Sequence, residues 1–344
     1  MRFFAFKRWI IVNLLLFITI PHCSLLSAGN NKQSDIESPD QIFIFFPNLM
    51  LGLTSGNYKW TSSDDSITIP LRQAGRIFLI EANVDGETGY LVFDSGASGV
   101  VLNKTYFRNH VIIDSQNSSG VNGKVNNVER VNIDHLEFTG LQYVNIVADI
   151  TNLGHIENRR GVKILGLIGL NLLKDFEIIF DPAQNQLQLF QIDKKGERVN
   201  HSTEKFESDF TTSFEQKNSV IFIDAIMKGK SLRFCFDTGA ETNVIDRYAP
   251  KGVINCITIT RRSTLRGAGS GSTEVLFGTM NDFLIGQNNL SNLETIITNL
   301  DPLSDAYGTK IDGMLGYSFI SKGVVCINFL KKELGINYYK TNEQ

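Results

Sequence analysis

The chain is written twice, and that repeat restricts its possible folds more than any other feature. Residues 76–98 read RIFLIEANVDGETGYLVFDSGAS and residues 219–241 read SVIFIDAIMKGKSLRFCFDTGAE. Each copy is an alternating apolar strand, a turn (Asp85-Gly86 or Lys228-Gly229-Lys230), a second apolar strand and then Asp-Ser/Thr-Gly-Ala. Residues tolerant of positive φ between two alternating runs predict a β-hairpin in each copy. A second matched pair follows, ILGLIGLNLLKDFEIIFDPAQNQLQLF at 164–190 and IDGMLGYSFISKGVVCINFLKKELGI at 311–336. The offset is 143 residues between Asp94 and Asp237 and 147 between Gly169 and Gly316, a drift that loop-length variation explains. The repeat predicts two similar units, 65–192 and 205–340, joined by the polar stretch 193–204 of linker composition. A length of 344 residues independently suggests about two domains at roughly 150 residues each.

Both units read as β-rich. Short apolar runs bounded by turn formers lie at 77–84, 90–93, 144–149, 177–180, 220–226 and 324–329. Helical stretches are expected to be short, the best at 171–175 and 318–322.

The N-terminus reads separately. Arg2, Lys7 and Arg8 precede an apolar run of 12 residues (9–20), Pro21 breaks it, and Leu-Ser-Ala ends at Ala28. That order is a secretory signal over 1–28. The run is short against the about 20 residues a bilayer span needs, so membrane attachment is expected only if the segment stays uncleaved. Residues 29–64 form an extension whose apolar part, 42–53, reads either as an added strand or as a pro-segment. The formal net charge is −3, and −6 once the three N-terminal cations are removed, so no basic excess favours nucleic acid. Cys235, Cys256 and Cys326 remain, an odd number that leaves at least one thiol unpaired. By the repeat, Cys235 matches Val92 and Cys326 matches Ile179, which predicts packing rather than reactivity. Asn-x-Ser/Thr sequons occur at Asn103, Asn117, Asn200 and Asn289. Five scattered histidines give no metal-ligand spacing, so no metal site is expected.

A single Asp-Ser/Thr-Gly triplet means little; about 0.2 copies arise by chance in a chain this long. Here each of two copies ends a matched strand, and each is followed about 75 residues on by apolar-apolar-Gly, at 167–169 and 314–316. Paired carboxylates have a chemical use. Facing each other, they share one proton, because like charges about 3 Å apart resist joint ionisation. One then serves as general base toward a water and the other as general acid. Asp94 and Asp237 are the candidate pair, one from each unit. Gly96 and Gly239 allow backbone N–H groups to approach the carboxylates. Ser95 and Thr238 carry hydroxyls able to tie the two loops together. Gly120 and Gly123, and Gly267, Gly269 and Gly271, mark candidate hairpin tips closing over a substrate, with an ordinary surface loop as the plainer alternative.

On these residues the chain resembles the retropepsin-like aspartic proteases, with two such domains fused as in pepsin-type enzymes, and resembles bacterial aspartyl-protease families. The resemblance rests on 93–98, 236–244, 166–169 and 313–316. It implies an all-β, bilobal acid-protease fold with two similar β-barrel-like lobes and short helices. It implies aspartic endopeptidase activity by Asp94 and Asp237, with Ser95 and Thr238 as the grip between loops and Gly169 and Gly316 backing them. It implies no cofactor, since water is the nucleophile, and an extended polypeptide as the bound partner. Substrate contact is expected from Ala97, Ser98, Ala240 and Glu241. The acidic residue four past the catalytic Asp binds substrate backbone in the retroviral form; Glu241 holds that place, while Ser98 replaces it in the first copy. Read on its own, Glu241 is a solvated charge. Ala97 and Ala240 stand where pepsin-type enzymes carry a hydroxyl, which implies a less acidic pair and activity nearer neutral pH. The chain is expected to act as a monomer outside the cytoplasm: periplasmic, surface-bound or secreted. Two other classes remain: a catalytically silent peptide-binding module on the same fold, and an actin-like ATPase with two Asp-x-Gly loops, which needs long helices this sequence lacks.

Overall fold

A computed structural model describes residues 58–340 apart from 121–122, 200–204, 218 and 267–271, together with two short segments, Leu15–Phe17 and Phe43–Phe45, that pair as antiparallel strands. Most of 1–64 and the glycines Gly267, Gly269 and Gly271 therefore lie outside the described residues. No helix among the described residues is long and apolar enough to cross a membrane.

The duplicated hairpins build the two lobes. In lobe 1, Ile77–Val84 pairs with Glu87–Phe93, and in lobe 2, Val220–Met227 pairs with Lys230–Phe236. The turns place Asp85 and Gly86 at φ 48° and 90°, and Lys228 and Gly229 at 48° and 69°. These left-handed conformations match the twist of the flanking strands. Beside the second strand of each hairpin lies a parallel strand from far along the chain, Ile164–Ile168 in lobe 1 and Gly313–Leu315 in lobe 2. On its other side that strand runs antiparallel to Val100–Asn103 or Asn243–Asp246. The chain thus threads the apolar-apolar-Gly segment between the two strands that flank each Asp loop.

Lobe 1 closes into a six-stranded barrel when Asn83 and Val84 pair with Glu137 and Leu136 of the long strand Gly123–Phe138. Lobe 2 is an open half-barrel of the same order. Beneath both runs a six-stranded antiparallel sheet, three strands from each lobe: Ser66–Ala74, Gln186–Gln191 and Phe176–Asp181, then Gly323–Asn328, Glu333–Tyr338 and Phe210–Ser213. At its centre Ile179 stands directly opposite Cys326, its own counterpart under the 147-residue offset. Equivalent residues facing each other fix a pseudo-two-fold axis through that point.

The chain has 24 phenylalanines, and many of them lie in the core. Among the described residues the nine largest fully buried side chains are all Phe, including Phe180, which meets Phe78 edge-on at 4.9 Å and Phe93 at 5.4 Å. Each buried ring contributes about 1.5–3 kcal/mol.

The short helices expected at 171–175 and 318–322 lie at Leu170–Leu173 and Tyr317–Ile320, and three further features add to what the sequence shows. Asn103, one of the four sequon positions, is fully buried and structural: its Nδ2 donates to Ile164 O and its Oδ1 accepts from Thr105 N and Leu153 N. Asp246, its counterpart, accepts from Leu300 N in the same way. Two seven-residue helices, Gly154–Arg160 and Asp301–Tyr307, stand outside the stretches where helix is expected; each ends at a left-handed glycine, Gly161 or Gly308. Two turns are too short to show a helical period, but the matched glycines are visible in the sequence. Cys235 is buried and Cys326 half-buried, and the three thiols Cys235, Cys256 and Cys326 are free. Burial pushes each of them above the ordinary thiol range.

Candidate active site

Each hairpin's second strand runs out into an Asp loop. Asp94 N donates to Ile168 O at 3.0 Å, and Asp237 N donates to Leu315 O at 2.9 Å. The loop then turns back: Ala97 N donates to Asp94 O, and Ala240 N to Asp237 O. That turn brings Gly96 N within 2.9 Å of Asp94 Oδ1 and Gly239 N within 2.9 Å of Asp237 Oδ1. Gly169 and Gly316 back the loops at a distance only glycine permits. A Cβ on Gly169 would run into Ala97 O, and one on Gly316 into Ala240 O and Thr242 O. Because those obstacles are backbone, Gly316→Ala is expected to destabilise the protein by about 1–3 kcal/mol or more, read from the denaturant midpoint.

Ser95 and Thr238 join the loops across the axis. Ser95 N donates to Thr238 Oγ1 at 2.9 Å and Thr238 N to Ser95 Oγ at 2.8 Å. The hydroxyls then donate onward, Ser95 Oγ to Phe236 O and Thr238 Oγ1 to Phe93 O, both at 2.9 Å. Four reciprocal bonds, two of them between residues separated by 143 positions, fix the two carboxyls relative to each other. Asp94 and Asp237 are 1% and 2% exposed. Their Oδ2 atoms are buried, and among the described residues the hydrogen-bonding partner left to each carboxyl there is the other carboxyl. Burial pushes both carboxyls above the usual carboxylate range, and the neighbouring Asp237 charge raises Asp94 further. The loop N–H bonds act in the opposite direction without overcoming burial. A close, desolvated, titrating pair of this kind is equipped to hold one proton between two carboxylates.

The remaining sequence candidates are spread around this centre. Ala97 and Ala240 are buried, their methyls packed into the apolar clusters beneath each loop, so only their backbone is available to a ligand. Ser98 O accepts from Asn171 Nδ2 at 2.7 Å. Glu241 is not solvated: it is 3% exposed and ion-paired with Arg160 of lobe 1. Gly120 pairs with Gly123 at the end of the hairpin Ile112–Gly120/Gly123–Phe138. In lobe 2, Arg266 pairs with Ser272 at the end of Ile257–Arg266/Ser272–Met280, with 267–271 between them. A cavity of about 230 Å³ is lined by Glu177, Arg198, Cys326 and Lys331 of the linker and base sheet, away from the carboxyls. Among the described residues no group of three His, Cys, Asp or Glu comes together to hold a metal ion.

Two residues near the site belong to no motif in the sequence. Tyr307 is buried in the cluster that contains Cys235 and Ala240, edge-on to Phe222 at 5.6 Å. Burial, and the charges of Cys235 and both aspartates, push its hydroxyl upward. Arg160 stands at the equivalent place in lobe 1. Both precede a helix-ending glycine at an offset of 147, which is the signal the sequence offers for them.

A family model described as "Aspartyl protease" matches the chain twice, over residues 80–172 and 223–319, which is more than half of it. No curated protein sequence matches. Among solved structures, an aspartic proteinase from Irpex lacteus is similar in fold, with a TM-score of 0.51 and 13% identity over 81% of this chain and 98% of that one. Each family match ends just past an apolar-apolar-Gly segment and contains one Asp-Ser/Thr-Gly loop. With the bilobal all-β architecture, the duplicated match shows that this chain belongs to the aspartyl protease family.

Proposed function

We propose that the protein is an aspartic endopeptidase in which Asp94 and Asp237 jointly activate a water for attack on a peptide bond. The observation that carries this reading is the reciprocal Ser95–Thr238 bonding, which aligns two buried, upward-shifted carboxyls from opposite lobes. In the reaction, the ionised carboxylate takes a proton from water while the protonated one donates to the scissile carbonyl oxygen. The resulting tetrahedral species collapses as a proton passes to the leaving nitrogen. No covalent intermediate and no cofactor are needed. The Ala97–Ser98 and Ala240–Glu241 backbones flank the carboxyls on either side, a fitting wall for an extended polypeptide. The two hairpins, Ile112–Gly120/Gly123–Phe138 and Ile257–Arg266/Ser272–Met280, are the candidate covers. The N-terminal signal pattern at 1–28 favours work outside the cytoplasm, as a monomer, since one chain carries both carboxylates.

The pH window follows from the shifts. Activity requires one carboxyl protonated and one ionised, so the rate is highest between the two titrations of the pair. Both are displaced upward by burial, which moves that window from the ordinary carboxylate value of about 4 toward neutrality. The test is cleavage of an unfolded protein across pH, with and without a statine-type inhibitor. Inhibitor-sensitive cleavage with a maximum displaced from about pH 4 toward neutrality is expected. A maximum below about pH 3 contradicts the window, and an inactive wild type that still binds the inhibitor identifies a silent peptide-binding module.

A further inference from the structure

The two lobes differ where each reaches toward the other. Arg160 ends the helix Gly154–Arg160, and its counterpart Tyr307 ends Asp301–Tyr307. Glu241 lies four residues after Asp237, and its counterpart four after Asp94 is Ser98. In one direction the lobes are joined by charge: the Arg160 guanidinium donates to Glu241 Oε1, with side chains only 7% and 4% exposed. In the other direction the same positions, Tyr307 and Ser98, carry no charged pair, and Asn171, which bonds Ser98, also donates to Ser219 of lobe 2. Tyr307 packs on Phe222 of lobe 2, and Ser98 O accepts from Asn171 of lobe 1. A second inter-lobe pair, Arg76–Glu294, is far more exposed at 29% and 46%. Arg160 is also confined from above, since a Cβ on Gly75, at φ 66°, would strike its Nη1.

We propose that Arg160 and Glu241 form a positioning latch that holds the Asp237 loop against lobe 1 and thereby sets the alignment of the two carboxyls. The inference rests on the dyad reading above. Its physical basis is the short tether from Glu241 to Asp237. The loop 237–241 is held at Thr238 by the grip, at Ala240 O by Tyr317 N, and at its end by Arg160. Removing Arg160 takes away the hydrogen-bonded partner of a carboxylate that burial already disfavours and leaves only the charges of Arg159 and Arg76 to offset it, so the loop end is driven toward water. Displacement of the loop transmits to Asp237, and small misplacements of a reacting group cost rate rather than affinity.

The test uses the full chain and an unfolded-protein or peptide substrate, with Tm, kcat, KM and pH profile measured for four forms: wild type, Arg160→Met, Glu241→Gln and Arg160→Met/Glu241→Leu. Arg160→Met is expected to lower kcat by about 10- to 100-fold with little change in KM, and to displace the pH profile. The double variant removes both charges at once and is expected to recover Tm, because an apolar pair replaces a buried ion pair without loss. Its kcat and pH profile are expected to stay displaced. A double variant whose kcat returns together with its Tm overturns the latch, leaving the pair merely structural. So does Glu241→Gln with a raised KM and a normal kcat, which makes Glu241 a substrate ligand. A wild type that cleaves nothing fails the dyad reading itself, and is distinguished from these outcomes by that inactivity.

Discussion

At neutral pH, Asp94→Asn and Asp237→Asn are each expected to melt at a higher temperature than the wild type, while peptide hydrolysis falls by about 10³- to 10⁴-fold. The stability gain follows from the direction of the shifts. Both carboxyls lie above their ordinary range in the folded protein, through burial first and, for Asp94, through the Asp237 charge. A carboxyl raised by folding stabilises the fold where it is protonated. That contribution declines as pH rises from its unfolded value, about 4, through its folded value. An amide at either position copies the neutral form, keeps an oxygen for Gly96 N or Gly239 N, and removes the repulsion. The gain in Tm should therefore be present near pH 7 and vanish near pH 3. Variants that melt lower than wild type at neutral pH would show instead that the carboxyls are stabilised as ions.

Thr238→Val is expected to be the most damaging conservative change outside the dyad. The valine keeps the shape of threonine but neither accepts from Ser95 N nor donates to Phe93 O. Two buried backbone groups lose their partners, at about 1–3 kcal/mol each, so a loss of about 2–6 kcal/mol is expected in denaturant unfolding. The grip also sets the spacing of the carboxyls, so hydrolysis should fall further than the unfolded fraction accounts for. Thr238→Ser retains both bonds and should sit close to wild type in both measurements. Equal behaviour of the valine and serine variants would mean that the hydroxyl is not what joins the loops.

The architecture is legible because the chain repeats itself. One hairpin pattern seen at 76–98 and again at 219–241 defines the two lobes, the strand before each Asp and the place of each backing glycine. Local chemistry suffices there: positive-φ turns, alternating apolar residues and a glycine that must admit a carbonyl. What stays hidden depends on tertiary placement. The helices ending at Arg160 and Tyr307 are two turns long and carry too little period to stand out. Glu241 reads as an ordinary surface charge until the fold brings Arg160 from the other lobe beside it. Asn103 fits a sequon locally, yet its amide closes the connection to Leu153 and Ile164. The meeting of Ile179 with Cys326 shows the gain in the other direction. Sequence makes them equivalents, and the register of the base sheet turns that equivalence into a symmetry axis.

The central claim is that one carboxylate from each lobe works as a single unit. The most direct measurement is the rate of hydrolysis of an unfolded protein by wild type, Asp94→Asn, Asp237→Asn and the double variant. Groups that share one proton fail together, so each single variant is predicted to lose as much rate as the double. Losses that multiply in the double variant, or a wild-type rate in either single one, would contradict it.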